Sequence, residues 1–233
     1  MDTYGNPVKA TEKIAAPTNM TGDDVIKKYQ AALGGEKAAA SIKDMKIVMT
    51  GAMQGAPLTA TKTRKAPNKL KHEIALNGNV MQKMVYDGTK GYQEAQGQHM
   101  DMEGDELKDI MAQADILSDF HPEKYGLSYK LLGIEQVEGK NAYKVEETNA
   151  AGEKEIQYYD EATGLLVKQV QTIESPQGSF SMETYMSDYK EVPGTNGYKI
   201  PHAVKMPIGP GMFIDLKLTS VEVNKNIADT EFQ

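Results

Sequence analysis

The sequence predicts an α+β chain, mostly antiparallel β: one curved sheet of about eleven strands curled around an N-terminal helix and a mid-chain helical lid. Three observations predict it. From residue 44 the apolar residues recur with a period of two, as in strands with one buried face. Short turns rich in Gly, Pro and Asn join neighbouring segments, as in a meander. Two stretches, 21–33 and 105–117, keep the helical period instead. A meander of this length must split into a sandwich or curl. Each helix has one apolar face that needs a sheet to cover it. A sheet curled around both serves the two faces together.

Residues 1–20 carry Gly5, Pro7 and Pro17 without apolar periodicity, which predicts a linker or flexible arm. Residues 21–233 then form a single domain. Thr21 is a good N-cap, and Asp23 and Asp24 place negative charge in the first helical turn. Val25, Ile26, Tyr29 and Leu33 share one face, and Gly34-Gly35 ends the helix. Met45, Ile47, Met49, Gly51 and Met53 alternate with Lys46, Val48, Thr50 and Ala52. Leu58 to Arg64 is a weaker, Thr-rich strand; Leu70, His72, Ile74 and Leu76 mark the next. Asn77-Gly78 is a strong hairpin signal before the strand from Val80 to Tyr86. Asp87-Gly88 and Gln96-Gly97 turn two further short strands.

Leu107, Ile110, Met111, Ala114 and Leu117 then recur at three and four, led by Asp105 and Glu106. Ser118 to Gly126 reads as a loop or a broken helix. Strands resume from 127 to 223, punctuated by glycines such as Gly139, Gly152, Gly164, Gly194 and Gly197. Pro201 and Pro207 remove ladder donors, so the strand over 198–208 is expected at an edge or to be bulged.

Composition excludes several chemistries. With no cysteine, thiol catalysis, zinc–thiolate sites and disulfide scaffolds are out. Against 33 acidic residues stand 26 Lys and Arg, giving a net charge of −7 and no clustered basic face for nucleic acid. No run is long and apolar enough for a membrane span. MDTYGNPVKA lacks the layout of a signal peptide, so an export signal or lipid-anchor cysteine would lie upstream. Neither a Gly-x-Ser-x-Gly elbow nor a paired-His metal motif occurs. His72, His99, His121 and His202 read as solvent-facing strand or loop histidines, and Gly34-Gly35 and Gly88 as structural turns. The acidic group around Asp101 to Asp109 reads as a solvated helix start. No catalytic residue, metal or cofactor is expected.

The 14 methionines, with no Trp and only 4 Phe, carry more information. Met45, Met49 and Met53 share a strand face; Met182 and Met186 share another with Phe180. Two readings stay open: plain core packing, or a soft-walled cavity for a flexible apolar ligand such as an acyl chain.

Local strings extend the reading. Val85-Tyr86-Asp87-Gly88-Thr89-Lys90-Gly91-Tyr92 precedes the lid, and Tyr158-Tyr159-Asp160-Glu161-Ala162-Thr163-Gly164-Leu165 forms a second-half hairpin. Val221-Glu222-Val223-Asn224, then Ile227, Asp229 and Phe232, close the chain. In this order they resemble the LolA-like family of periplasmic lipoprotein carriers and outer-membrane lipoprotein-sorting proteins. The resemblance covers about residues 21–233. It implies an unclosed (half) β-barrel whose concave face shelters lipid chains, in the periplasm or at the periplasmic face of the outer membrane. It also implies a non-enzymatic, monomeric carrier with apolar ligands or lipoprotein acyl chains and a membrane-associated protein as partners. The arginine with which the carriers link barrel and lid has no obvious match; Arg64, the only arginine, lies on the Thr-rich strand.

Strand parity then nominates Met45, Met49, Met53, Leu70, Ile74, Ile110, Met111 and Phe180 as the ligand-binding wall, with Leu107, Ile110 and Met111 forming the lid. Two other functions remain open. One is a C-terminal accessory domain of a larger envelope protein, for example following an insulinase-like metallopeptidase, with no ligand of its own. The other is a hydrolase whose nucleophile and base cannot be named from sequence.

Overall fold

The computed structural model describes residues 14–175, 178–209 and 212–233. Thirteen strands, two more than predicted, form one antiparallel sheet. The first six are β1 (Asp44–Met53), β2 (Ala56–Lys65), β3 (Lys69–Leu76), β4 (Asn79–Tyr86), β5 (Gly91–Ala95) and β6 (Gln98–Met102). The return half is β7 (Ser128–Val137), β8 (Lys140–Thr148), β9 (Lys154–Asp160), β10 (Leu166–Ser175), β11 (Gly178–Glu191), β12 (Lys199–Gly209) and β13 (Met212–Val223). The two short hairpin strands β5 and β6 stay distinct because Gln96 and Gly97 both adopt positive φ, at 53° and 79°, and reverse the chain within two residues.

The path begins at the middle of the sheet. β1 runs outward through consecutive hairpins to the edge strand β6. The chain then crosses through helix α3 (Gly104–Ala114) and two 3-10 turns, Ser118–Phe120 and Pro122–Tyr125, to the opposite edge, β7. From there it meanders back until β13 pairs with β1, with Met45 opposite Val223 and Ile47 opposite Val221. The result is an open half-barrel with its two edges joined by the helical crossover. The strand over 198–208 is bulged but not an edge. β12 lies between β11 and β13, and its register slips between Pro207 and Gly209, so a missing donor falls at the irregularity.

Helix α1 (Gly22–Ala32) starts at Thr21, whose hydroxyl accepts from Asp24 N at 3.2 Å while Asp24 Oδ2 accepts from Thr21 N at 3.0 Å. This reciprocal cap satisfies two otherwise free donors. The helix packs on β7 and β8, and a one-turn helix α2 (Glu36–Ala39) follows it. Val25 and Ile26 of α1 join Ile134, Tyr143, Val145, Tyr159 and Leu166 in one core cluster, while Leu33, just past its end, joins Met45, Ile42 and Ile116 in another. Helix α3 packs on β3 and β4, where Ile110 and Ala114 meet Leu70, Tyr86 and Met102. Before α1, Ile14 makes an isolated bridge to Ile134, so the end of the predicted arm is tied to β7; residues 1–13 lie outside the described residues.

The outer face is the polar one. Across β8 to β12, Lys144, Tyr158, Lys168, Tyr185 and Lys205 are successive register partners, and each lysine lies over a neighbouring tyrosine ring. Past β13, the chain crosses the outside of β2 and β3. Asp229 meets Lys65 at 2.7 Å and Lys69 at 3.2 Å, and Phe232 is fully buried beneath this tail.

Candidate functional site

The inward face of β2 reads Leu58, Ala60, Lys62, Arg64. Register carries this face across the sheet: Val221, Ile47, Lys62, His72 and Met84 form one row, and Val223, Met45, Arg64, Leu70 and Tyr86 the next. Side chains in register on neighbouring strands share a face. Two cations and an imidazole therefore stand among apolar side chains on the concave wall.

Between this wall, α1 and β11–β13 lies a cavity of about 390 Å³. Ile47, Met49, Ala60, Ile74, Met206 and Leu216 give it apolar walls; Tyr29, Tyr189 and Tyr198 contribute rings. An adjoining chamber of about 350 Å³ under α1 and β7–β10 is more polar, with Tyr129, Glu147, Gln157 and Gln169. Tyr29, Lys62, Arg64 and Asp119 line both spaces, so these four residues form the neck between them.

Electrostatics follow from enclosure. Burial, then the Arg64 charge, bring the Lys62 ammonium down to about 7, against a smaller pull upward from Asp119. Burial and the neighbouring Lys62 push His72 down to about 4. Burial raises the Asp119 carboxyl, partly offset by Arg64 and Lys62, and the residue lines both spaces. Arg64 borders the Tyr198 hydroxyl, but its Nε is buried with no hydrogen-bond partner among the described residues. In the second chamber, burial and nearby Glu155 raise Glu147 to about 7, while Gln157 donates to it at 2.9 Å.

The crossover is held in place by Asp115, just past α3. Its buried carboxylate accepts from Leu117 N at 2.8 Å, Lys124 Nζ at 2.8 Å and Tyr125 Oη at 2.6 Å. Burial opposes ionisation, but these bonds together hold the carboxyl below its usual range. Asp119 follows four residues later and is thereby presented to the neck. Gln30 on α1 also donates to the Asp119 carbonyl at 2.8 Å, which ties the crossover to the first helix.

The nominated wall residues are divided by the structure. Met49 and Ile74 line the cavity. Met45 shares their strand face but is packed solid beneath Leu33, Ile42 and Ile116. Met53 packs at the sheet margin beside Leu58 and Ile214. Leu70 and Ile110 are fully buried against each other, with Leu107 at the margin, so α3 fills that end of the trough with its own side chains. Met111 and Phe180 are exposed, Met111 on a shallow surface depression beside Tyr125 and Ala150. His72 is not solvent-facing; it points into the cavity. Lys62, Arg64 and Asp119 escaped the sequence reading. The signal for the first two was present, because the hairpin at Gly55 puts them on the same face as Met45, Ile47 and Met49.

No family model matches the chain, and no curated protein matches it. Solved structures do. A LolA superfamily protein from Nitrosomonas europaea superposes with a TM-score of 0.57 at 12% identity, over 92% of this chain and 98% of that one. The fold is LolA-like. A putative outer membrane lipoprotein-sorting protein domain from Vibrio parahaemolyticus shares the LolA-like fold at a TM-score of 0.52 and 10% identity, over 89% and 97% of the two chains. A DUF1329 family protein from Desulfovibrio piger does so at 0.56 and 13%, over 91% and 97%. Within the LolA-like frame, Arg64 finds a place that the sequence did not give it: it faces the crossover residue Asp119 from the concave wall.

Proposed function

We propose that the protein is a non-enzymatic carrier of the bacterial envelope that shelters the apolar chain of a lipid or acylated protein inside the half-barrel. The observation that supports this is the unfilled space. Where α3 covers the trough, Leu70, Tyr86, Met102 and Ile110 leave it packed; where α1 and β1–β3 enclose it, about 390 Å³ stays open behind Met49, Ile74 and Leu216. That volume is in the range of small-molecule sites. Its walls are mobile thioethers and aliphatic chains, which repack around a flexible tail. LolA-like architecture at the level of lipoprotein-sorting proteins agrees with the reading. A place in the periplasm belongs to the same proposal.

The test is uptake of a fluorescent fatty acid by delipidated protein. Saturable binding at micromolar concentration is expected, with displacement by unlabelled fatty acid. No saturable uptake over that range would sink the proposal.

A further inference from the structure

We propose that the ligand of this cavity is an amphiphile with an anionic head, a carboxylate or phosphate, held at the neck by Lys62 and Arg64. The inference rests on the carrier reading and adds a head-group preference to it. An apolar tail alone gives no reason for cations in the wall. Burying an unpaired charge is costly, and buried charges are normally paired. Here Arg64 keeps a buried Nε without a partner among the described residues, and Lys62 lines the same cavity beside it.

Asp119 is the one carboxylate among the four neck residues, a single acid facing two bases. It therefore leaves the two cations under-compensated. His72 adds no charge at neutral pH, since it is held neutral by burial and by Lys62. An anion placed between Lys62 and Arg64 supplies the missing acceptors. From there the apolar lining of Ile47, Met49, Ile74 and Leu216 leads away from the charges, as a single chain requires. The guanidinium fork suits both carboxylate and phosphate oxygens.

The experiment compares four ligands with one chain: dodecanoate, dodecyl phosphate, dodecanol and dodecyltrimethylammonium. Each displaces the fluorescent probe below its micelle concentration, and inorganic phosphate alone is a fifth arm. Dodecanoate or dodecyl phosphate is expected to bind about tenfold or more tighter than dodecanol, as a charge-assisted hydrogen bond supplies. Whichever of the two binds tighter names the head. Lys62→Met and Arg64→Gln should erase the preference, so that each variant binds the anions no tighter than it binds dodecanol, with folding checked by circular dichroism. If dodecanol binds as tightly as the anions, or the cation binds best, the head-group assignment is wrong and the apolar cavity stands. If phosphate alone competes as well as dodecyl phosphate, the site is for a free anion and this proposal fails. If no chain binds at all, the carrier reading itself fails.

Discussion

Lys62 on β2 and His72 on β3 are direct register partners, and both side chains open into the same apolar cavity. Lys62 makes His72 harder to protonate. With His72 held down to about 4, Lys62 is the group at the neck brought near neutrality, at about 7.

This gives a signed pH dependence. The folded protein holds Lys62 down to about 7, whereas the unfolded chain keeps an ordinary lysine. Above that pH the unfolded state binds more protons, so stability rises with pH until the ordinary lysine range is passed. The stability gained by Lys62→Met over wild type should be largest below about pH 7 and shrink above it, by at most about 1.4 kcal/mol per pH unit. Denaturant unfolding of both proteins across that range measures the slope. Parallel curves for the two would show that Lys62 is not buried as a strained cation.

Filling the cavity should weaken binding without unfolding the protein. Ala60 stands in register between Met49 and Ile74 on the cavity wall. An indole at that position, Ala60→Trp, points into open space. Affinity for the fluorescent fatty acid should fall about tenfold or more, or about 1.4 kcal/mol. The melting temperature should stay within a few degrees of wild type. Unchanged uptake would place the ligand elsewhere.

Asp115 should govern the crossover. Removing its carboxylate in Asp115→Ala strands the Leu117 amide, the Lys124 ammonium and the Tyr125 hydroxyl. A loss of about 1–3 kcal/mol is expected. Limited proteolysis should show faster cleavage between residues 115 and 126 than in wild type. Because the folded carboxyl lies below its usual range, its contribution is complete above the ordinary aspartate range and disappears as acid protonates it. Wild type and variant should therefore converge in stability at strongly acid pH.

Gly34 should tolerate no side chain. Its φ is +105°, and a Cβ there would sit 2.2 Å from the Gly197 carbonyl oxygen. The neighbouring Leu33 carbonyl accepts from Lys199 N at 2.9 Å, which fixes the end of α1 to β12. Gly34→Ala should cost about 2 kcal/mol or more in thermal or chemical unfolding. It should also weaken ligand binding, since Leu33 and Tyr198 line the cavity.

Much of this was legible in the sequence because it is local. Thr21 and Asp24 mark the start of α1 by their own chemistry, and Asn77-Gly78 and Gln96-Gly97 fix hairpins whatever surrounds them. Pro201 and Pro207 announced an irregular strand, but not that it lies inside the sheet, since a bulge and an edge remove the same donor. The alternation in β1 and β2 told which residues share a face. It did not tell that Lys62 and Arg64 border an enclosed cavity, because Tyr29 and Asp119, which share that neck, come from distant elements.

By itself, then, the sequence determined the elements, their order and the two faces of each strand, which short-range backbone and hydrophobic preferences encode. Only the tertiary structure decided how the two halves of the sheet join, through the pairing of Met45 with Val223 far along the chain, and which part of the trough stays open. Whether a buried face becomes packed core or cavity depends on which side chains arrive from distant elements to fill it. α3 brings Ile110 to Leu70, whereas nothing among the described residues fills the space before Met49 and Ile74.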